Sequence, residues 1–220
     1  MKSVLVTGAS GNLGTSLVEE LHNDGYHIIA TLGSEKDRDS FSHLPNVASY
    51  VVNLLETDSV SDFLSKIDGK SIHAAALLVG GFAAGDIHDT DVALLDKMYR
   101  LNFITTFNVL KPLLSIFETQ GGGQFILIGA RPAIAPEAGK HLFAYALSKS
   151  LIFELANLVN AHGKGKQISA TVIVPSTIDT PINGKRCLMQ THRNGLNRRI
   201  SAKRLPLSYR ILGKRFMSPF

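Results

Sequence analysis

The sequence predicts a single α/β domain in which helices cover both faces of a parallel β-sheet. The first fourteen residues read as a short apolar strand, a glycine-punctuated turn and the start of a helix. Further short apolar runs follow, and segments with helical spacing separate most of them. Strands that alternate with helices form right-handed βαβ units in one sheet. The expected architecture is therefore a doubly wound, Rossmann-like parallel sheet with three αβα layers.

Each element follows from local periodicity and from the turn residues beside it. Strands are predicted over residues 4–6, 26–31, 48–52, 71–76, 124–128 and 168–174. Helices are predicted after residue 11, after residue 57, over 91–117 and over 142–159. Thr57 or Asp58 is expected to cap the second helix, and Pro112 to bend the third.

The turn after the first strand has the spacing Gly8-x-x-Gly11-x-x-Gly14. Free N–H groups at a helix N-terminus attract phosphate, and missing side chains let a pyrophosphate approach the backbone. A tight strand-to-helix connection also needs glycine for purely structural reasons. The position of this turn at the start of an α/β chain favours a dinucleotide site.

Composition limits the class of protein. Of the 220 residues, 45% are hydrophobic and 19% are charged, which is typical of a globular domain. No apolar run reaches membrane-spanning length, and Met1-Lys2 leads directly into the first strand, so no signal peptide is expected. The single cysteine, Cys187, excludes an intrachain disulfide and favours a cytoplasmic location. The eight histidines show no metal-ligand spacing, so no metal is expected.

Charge divides the chain near residue 184. Residues 1–183 carry 13 basic and 18 acidic side chains, whereas residues 184–220 carry ten basic and no acidic ones. One interpretation is a basic tail that binds nucleic acid or a membrane surface. The other is a frameshift, because the same codons in another frame can encode a Pro-started amphipathic helix. We favour the frameshift, and so expect neither partner.

Under this interpretation, residues 1–183 form the dinucleotide-binding domain. Residues 184–220 are then a non-native, poorly ordered tail, and the last helix and strand of the fold are missing.

A tyrosine and a lysine stand four residues apart in the predicted helix over 142–159. The spacing puts Tyr145 and Lys149 on one helix face. A nearby ammonium favours the phenolate, so it is expected to lower the pKa of Tyr145 and make the phenol a general acid. The alternative is an ordinary tyrosine and an exposed lysine one turn apart.

Taken together, the motifs resemble the short-chain dehydrogenase/reductase family over residues 3–183. The matching segments are T-G-A-S-G-N-L-G, L-N-F-I-T-T-F-N-V-L-K-P with Asn102, the Tyr145-x-x-x-Lys149 pair and P-S-T-I-D-T. The resemblance implies that Tyr145 donates a proton and that Lys149 binds the nicotinamide ribose and tunes Tyr145. Asn102 would hold a water that relays protons to Lys149, or would alternatively be an internal helix cap.

The same resemblance implies a set of cofactor contacts. From the glycine turn these are Gly8, Ser10, Gly11, Asn12, Leu13 and Gly14. Further along the chain they are Asn53 and Leu54 beside the adenine, Ala74, Ala75 and Ala76 along the cofactor, and Pro175, Ile178 and Thr180 at the nicotinamide end. Pro175 can equally be a strand terminator. The intact family fold also implies a homo-oligomer with a small-molecule substrate.

Two departures from the family pattern are informative. The family's catalytic serine usually stands at the end of the fifth strand, where this sequence reads Gly129-Ala130. Ser148, which precedes Lys149 on the helix, is expected to point away from the position of that serine. In place of the family's N-A-G turn after the fourth strand, the sequence has His73-Ala74-Ala75-Ala76, and His73 is interpreted as a strand-end residue. Both departures resemble the branch that contains quinonoid dihydropteridine reductase. A quinonoid acceptor is electron-poor and needs less carbonyl polarisation.

The end of the second strand governs the choice of dinucleotide. An acidic residue there would bind the ribose 2′-hydroxyl of NADH and repel a 2′-phosphate. Thr31 or Leu32 occupies that position, and Lys36 and Arg38 follow closely. We therefore expect NADPH to be preferred and NADH to be possible, unless the two cations belong to an ordinary solvated turn.

The sequence thus predicts an NAD(P)H-dependent oxidoreductase that transfers hydride to a small quinonoid, pterin-like or carbonyl acceptor. The alternatives are a non-catalytic dinucleotide-binding sensor and a frameshifted, inactive reductase.

Overall fold

A computed structural model of the chain describes residues 1–175, in which six strands form one sheet. The strands are β1 (Ser3–Thr7), β2 (His27–Leu32), β3 (Val47–Val51), β4 (Ala74–Leu77), β5 (Gly123–Ile128) and β6 (Ile168–Ile173). All neighbouring strands run parallel, in the order β3-β2-β1-β4-β5-β6. The predicted doubly wound α/β architecture is confirmed.

Helices lie on both faces of this sheet. They are α1 (Asn12–Asn23), α2 (Thr57–Lys66), α3 (Val92–Tyr99), α4 (Thr105–Gln120), α5 (Pro136–Gly139) and α6 (Phe143–His162). One apolar cluster joins the sheet to α2, α4 and α6, with Phe63, Phe117 and Ile152 at its centre. A second cluster joins the opposite face to α1 through Leu17 and Leu21. The apolar stripe of each helix therefore covers a strand surface that would otherwise face water.

Several predicted boundaries need correction. Strand β4 begins three residues later than predicted, and β2 and β3 shift by one residue in opposite directions. Glu56, rather than Thr57 or Asp58, is the N-cap of α2, and its side chain makes no capping hydrogen bond. The predicted helix over 91–117 is divided by a π-helical segment at Arg100–Ile104, whereas α4 continues through Pro112. The irregularity thus precedes the proline instead of lying at it.

Within residues 1–175, no helix combines the length and the apolar character needed to cross a membrane. The predicted break at residue 184, the poorly ordered tail and the missing last helix and strand all lie outside the described residues.

Candidate active site

A cleft opens between β1 and β4, where the order in which successive strands join the sheet changes from one side of β1 to the other. Strand β1 lies between β2 and β4, so the connections that leave β1 and β4 separate and open a crevice at the carboxyl edge. The cleft has a volume of about 610 Å³. Its lining residues are Gly8, Ser10, Gly11, Thr31, Leu32, Gly33, Val52, Asn53, Leu54, Leu55, Leu78, Val79, Gly80, Leu101 and Thr105.

The predicted glycine turn forms the floor of this cleft. Gly8 has φ +64°, and a Cβ there would lie 2.9 Å from Val79 Cγ2. Gly11 is the N-cap of α1, and a Cβ at Gly14 would lie 2.7 Å from Ala9 Cα. Side chains at Gly8 and Gly14 would clash inside the turn. Gly8 and Gly11 therefore line the cleft with bare backbone, whereas Gly14 is buried and does not line it. The cradle fits the pyrophosphate of a dinucleotide at the N-terminus of a helix.

The other predicted residues of this turn lie at different depths. Ser10 lines the cleft, and its Oγ donates a hydrogen bond of 3.0 Å to Asp37 Oδ2. Asn12 is exposed and Leu13 is half-buried in the first turn of α1, and neither side chain lines the cleft. Any contact from Asn12 or Leu13 to a dinucleotide would therefore come from the backbone.

Asn53 and Leu54 form the wall on which the adenine was predicted to lie. The Asn53 N–H donates to Ser59 Oγ at 3.0 Å, and its Oδ1 accepts from the Leu55 N–H at 3.1 Å. Asn108 on α4 donates to the Leu54 carbonyl at 3.0 Å. The structure thus places both predicted residues on the cleft and holds their backbone in place.

The prediction for Ala74, Ala75 and Ala76 needs correction. All three lie inside β4 and have no exposed surface, because β1 and β5 pair with its edges and the two apolar clusters cover its faces. The chain reaches the cleft after the strand ends, at Leu78, Val79 and Gly80.

Tyr145 and Lys149 lie one turn apart on α6, as predicted. Lys149 is only 5% exposed, and its Nζ donates a 2.8 Å hydrogen bond to the carbonyl of Ile128 at the end of β5. A Cβ on Gly80 would lie 3.2 Å from this Nζ, so the ammonium adjoins the cleft wall. The alternative of an exposed surface lysine is therefore wrong.

The electrostatics of the pair differ from the prediction. Burial lowers the pKa of Lys149 to about 8, because an ammonium is poorly solvated there. Burial also raises the pKa of Tyr145, so the expected lowering is wrong for this structure. The phenol therefore keeps its proton throughout the neutral range.

Asn102 lies in the π-helical segment and is completely buried. Its Oδ1 accepts from the Gly81 N–H at 2.9 Å, and its Nδ2 donates to the Gly81 carbonyl at 3.2 Å and to Ser148 Oγ at 2.9 Å. These bonds leave its own helix, so the interpretation as an internal helix cap is wrong. The side chain holds the loop after β4 against α6.

Ser148 completes this network, which the sequence did not indicate. The side chain is buried, and its Oγ donates to the Tyr145 carbonyl at 2.8 Å while accepting from Asn102. The O–H of Ser148 therefore points at the Tyr145 carbonyl, and its oxygen accepts from Asn102. Two signals were available in the sequence: the double glycine, Gly80-Gly81, which is separated by two residues from a short buried strand, and the serine beside Lys149.

The strand end that lacks the family's serine is tightly packed. A Cβ on Gly129 would lie 2.6 Å from Val172 Cγ1 and 2.7 Å from Phe153 Cζ. Ala130 is buried. Neither position supplies a hydroxyl to a substrate.

The remaining predicted site residues lie elsewhere. Pro175 follows β6 and is half-buried, whereas Ile178 and Thr180 lie outside the described residues. His73 lies just before β4, where its Nδ1 accepts from the Ser3 N–H, and burial lowers its pKa. No metal-binding cluster of His, Cys, Asp or Glu occurs among residues 1–175.

The site combines a turn that fits a dinucleotide pyrophosphate with a buried lysine and with a tyrosine one helical turn from that lysine. This combination is typical of the active site of an oxidoreductase. The sequence profile of the short chain dehydrogenase family matches residues 2–190. The chain belongs to this family, and it is an oxidoreductase of the short-chain dehydrogenase type.

Individual relatives are similar over most of their length. The chain is 24% identical to a 7alpha-hydroxysteroid dehydrogenase of Bacteroides fragilis, an alignment that covers 82% of this chain and 73% of the relative. It is 25% identical to the 3-oxoacyl-[acyl-carrier-protein] reductase FabG of Escherichia coli, with 93% and 84% covered.

Solved structures show the same fold. ElxO with NADP bound is similar with a TM-score of 0.79 and 19% identity, over 86% of this chain and 79% of ElxO. An oxidoreductase of this family from Burkholderia thailandensis is similar with a TM-score of 0.77 and 20% identity, over 87% of this chain and 75% of that structure.

Proposed function

We propose that the chain is an NAD(P)H-dependent reductase in which Tyr145 donates a proton to a small quinonoid, pterin-like or carbonyl acceptor. The observation that carries this proposal is the burial of Lys149 beside the cleft and one turn from Tyr145. An ammonium with 5% exposure is costly to bury, and such groups cluster at functional sites.

The residues divide the chemistry between them. When bound, the dinucleotide supplies a hydride. The phenol of Tyr145 carries the proton that the reduced acceptor needs. The ammonium of Lys149 is proposed to offset part of the burial that disfavours the phenolate that remains. Asn102 holds Gly81 against α6 and thereby fixes the loop opposite Tyr145.

The packed strand end supports an electron-poor acceptor. A reductase without a hydroxyl at Gly129 or Ala130 lacks one hydrogen bond that would polarise a carbonyl group. A quinonoid or pterin-like acceptor needs less of this help. This agrees with the proposed similarity to the branch containing quinonoid dihydropteridine reductase.

The missing hydroxyl also favours a second candidate, a dinucleotide-binding sensor without turnover. Cofactor titration combined with turnover over a panel of quinones, pterins and carbonyl compounds separates the two functions. Oxidation of NADPH that depends on an acceptor supports the reductase. Tight NADPH binding without oxidation over the whole panel would support the sensor.

We propose further that NADPH is preferred over NADH. No carboxylate occurs at Thr31 or Leu32, and Lys36 is exposed close by. Arg38 makes two hydrogen bonds of 2.6 and 2.7 Å to Glu35 on the surface, so a 2′-phosphate would compete with Glu35 for its guanidinium. Asp37, held by Ser10 at the edge of the cleft, opposes a 2′-phosphate and limits the preference.

The variant Asp37→Asn is expected to bind NADPH roughly fivefold more tightly, with NADH affinity within twofold of wild type. The amide oxygen can still accept from Ser10, while the negative charge is lost. Dissociation constants for both dinucleotides measure the effect. Asp39→Asn, an exposed site two residues further on, is the control. Tighter NADH binding in wild type, or no change in Asp37→Asn, would contradict the proposal.

We also propose a homo-oligomer that forms through α3 and α6. Apolar side chains of both helices border an open groove of about 460 Å³, including Val92, Tyr99, Leu147 and Leu151. Val92 is 81% exposed, and Tyr99 stacks on Phe103 with ring centroids 5.4 Å apart. A second copy would cover this apolar face. Light scattering of the purified chain measures the oligomeric state, and a monomer at micromolar concentration would contradict it.

For residues 184–220 we retain the proposal of an out-of-frame, non-native tail. The family match continues to residue 190 and so includes the first seven residues of the proposed tail, 184–190. The nucleotide sequence across codons 180–190 tests the proposal, because early stops in the alternate frame would exclude it. The cytoplasmic location stays a prediction from the single cysteine.

A further inference from the structure

The exposed aromatic side chain of Phe82 lies against the phenol ring of Tyr145. The ring centroids are 5.1 Å apart and the ring planes meet at 62°, which is an edge-to-face contact. Phe82 nevertheless keeps 59% of its surface exposed. A large apolar ring left open beside a proton donor is typical of a ligand-binding wall.

The loop that carries Phe82 is fixed at both ends. On one side, Gly81 is held by both the oxygen and the nitrogen of the Asn102 side chain. On the other side, the Gly85 N–H donates to the His141 carbonyl at 3.0 Å, and the Gly85 carbonyl accepts from the Phe143 N–H at 2.9 Å. These bonds tie the loop to α6, so the ring stays in register with Tyr145.

The carboxylate that stands closest to Phe82 in the loop sequence is held by local hydrogen bonds. Asp86, the nearest acidic residue in the loop, accepts from the backbone N–H groups of His88 and Asp89, and the first of these bonds lowers its pKa. Its carboxylate is therefore engaged with the following turn. The segment 82–84, Phe-Ala-Ala, carries no charge of its own. The surface beside the phenol is thus apolar.

We propose that Phe82 is a specificity-determining residue whose ring forms one wall of the acceptor site and selects planar, conjugated acceptors over aliphatic carbonyl compounds. The inference rests on the proposed reductase function and names the acceptor class for that same site. Contacts between aromatic rings favour flat π-systems beyond simple area burial. In the reaction, the acceptor gains a hydride from the reduced dinucleotide and a proton from Tyr145, which leaves oxidised dinucleotide and a dihydro product.

The test compares wild type with Phe82→Leu and Phe82→Tyr. The probes are 2-methyl-1,4-naphthoquinone, which is planar, and ethyl acetoacetate, which is aliphatic. Turnover with NADPH gives kcat/KM for each probe. The dissociation constant of the quinone is measured separately in the presence of NADP⁺, where no hydride is available. Ile87→Ala is the control, because Ile87 is exposed to a similar extent in the same loop region.

For Phe82→Leu we expect roughly a fivefold to tenfold loss of kcat/KM and of affinity for the quinone. The kcat/KM for ethyl acetoacetate should change less than twofold. Phe82→Tyr should restore the wild-type values for the quinone, because it retains the ring, and Ile87→Ala should resemble wild type.

Two results would overturn the inference. Equal losses of kcat/KM for both probes would show that Phe82 only orients Tyr145. An unchanged quinone dissociation constant in Phe82→Leu would show that the quinone ring does not lie on Phe82, and so would a failure of wild type to bind the quinone. Failure of the proposed function looks different. Wild type would then turn over neither probe, while the affinity for the quinone would still depend on Phe82.

Discussion

Replacing Tyr145 with phenylalanine is expected to lower kcat by about 10²–10⁴-fold while the dissociation constant of NADPH changes only a few-fold. The substitution removes the phenolic O–H and keeps the ring that contacts Phe82. Because burial raises the pKa of Tyr145, the wild-type phenol carries its proton across the neutral range. The loss should therefore be of similar size between pH 6 and 7, where Lys149, with a pKa of about 8, also stays charged. Acceptor-dependent oxidation of NADPH and a cofactor titration measure the two quantities.

A second tyrosine provides the matched control for this experiment. Tyr99 stacks on Phe103 and borders the groove on α3 rather than the dinucleotide cleft. Tyr99→Phe removes a phenolic hydroxyl as well, and it should leave kcat within twofold of wild type. Full activity in Tyr145→Phe would exclude this tyrosine as the proton donor, whatever the fate of the rest of the site.

The order of the elements could be predicted because burial on both sheet faces leaves a strong signal. The central strands are short apolar runs, and β4 has no exposed residue. The strand boundaries could not be predicted as closely. A strand ends where its hydrogen bonds to the neighbouring strand end, and the position of that neighbour is not visible in the local sequence. Thus Ser71 to His73 read as strand residues, but β4 begins pairing with β1 and β5 at Ala74.

The site divides in the same way between local and non-local features. The spacing of Tyr145 and Lys149 on a helix is local, and the structure reproduces it. The pKa values depend on what covers each side chain, so the sequence predicted the wrong direction for Tyr145. Similarly, the π-helical segment lets Asn102 reach Gly81, 21 residues earlier in the chain, and Ser148, 46 residues later. No local pattern reveals such partners.

Replacing Lys149 with methionine is expected to stabilise the fold at neutral pH and to damage the enzyme. The lysine has a pKa of about 8 in the folded chain and 10.5 as its ordinary value. The difference corresponds to about 3 kcal/mol of unfavourable burial whenever the group is charged in both states. Methionine removes this cost but leaves the Ile128 carbonyl without its donor, which costs about 1 kcal/mol. We therefore expect the free energy of unfolding at pH 7 to rise by roughly 1–2 kcal/mol.

The dependence on pH separates this effect from general repacking. Because the folded pKa is lowered, the unfolded chain binds more protons than the folded chain between about pH 8 and 10.5. The lysine's contribution to the free energy of unfolding therefore rises with pH through that window and is constant below it. Lys149→Met should lose this rise, whereas Lys97→Met, at an exposed position, should keep it. Denaturant unfolding at several pH values measures the stability of both variants.

Lys149→Met should also lose turnover and bind NADPH more weakly, since it has no ammonium beside the cleft. A variant that keeps the same rise of stability with pH would show that the rise does not come from Lys149. A variant that keeps wild-type turnover and NADPH affinity would exclude the proposed role of Lys149 beside Tyr145.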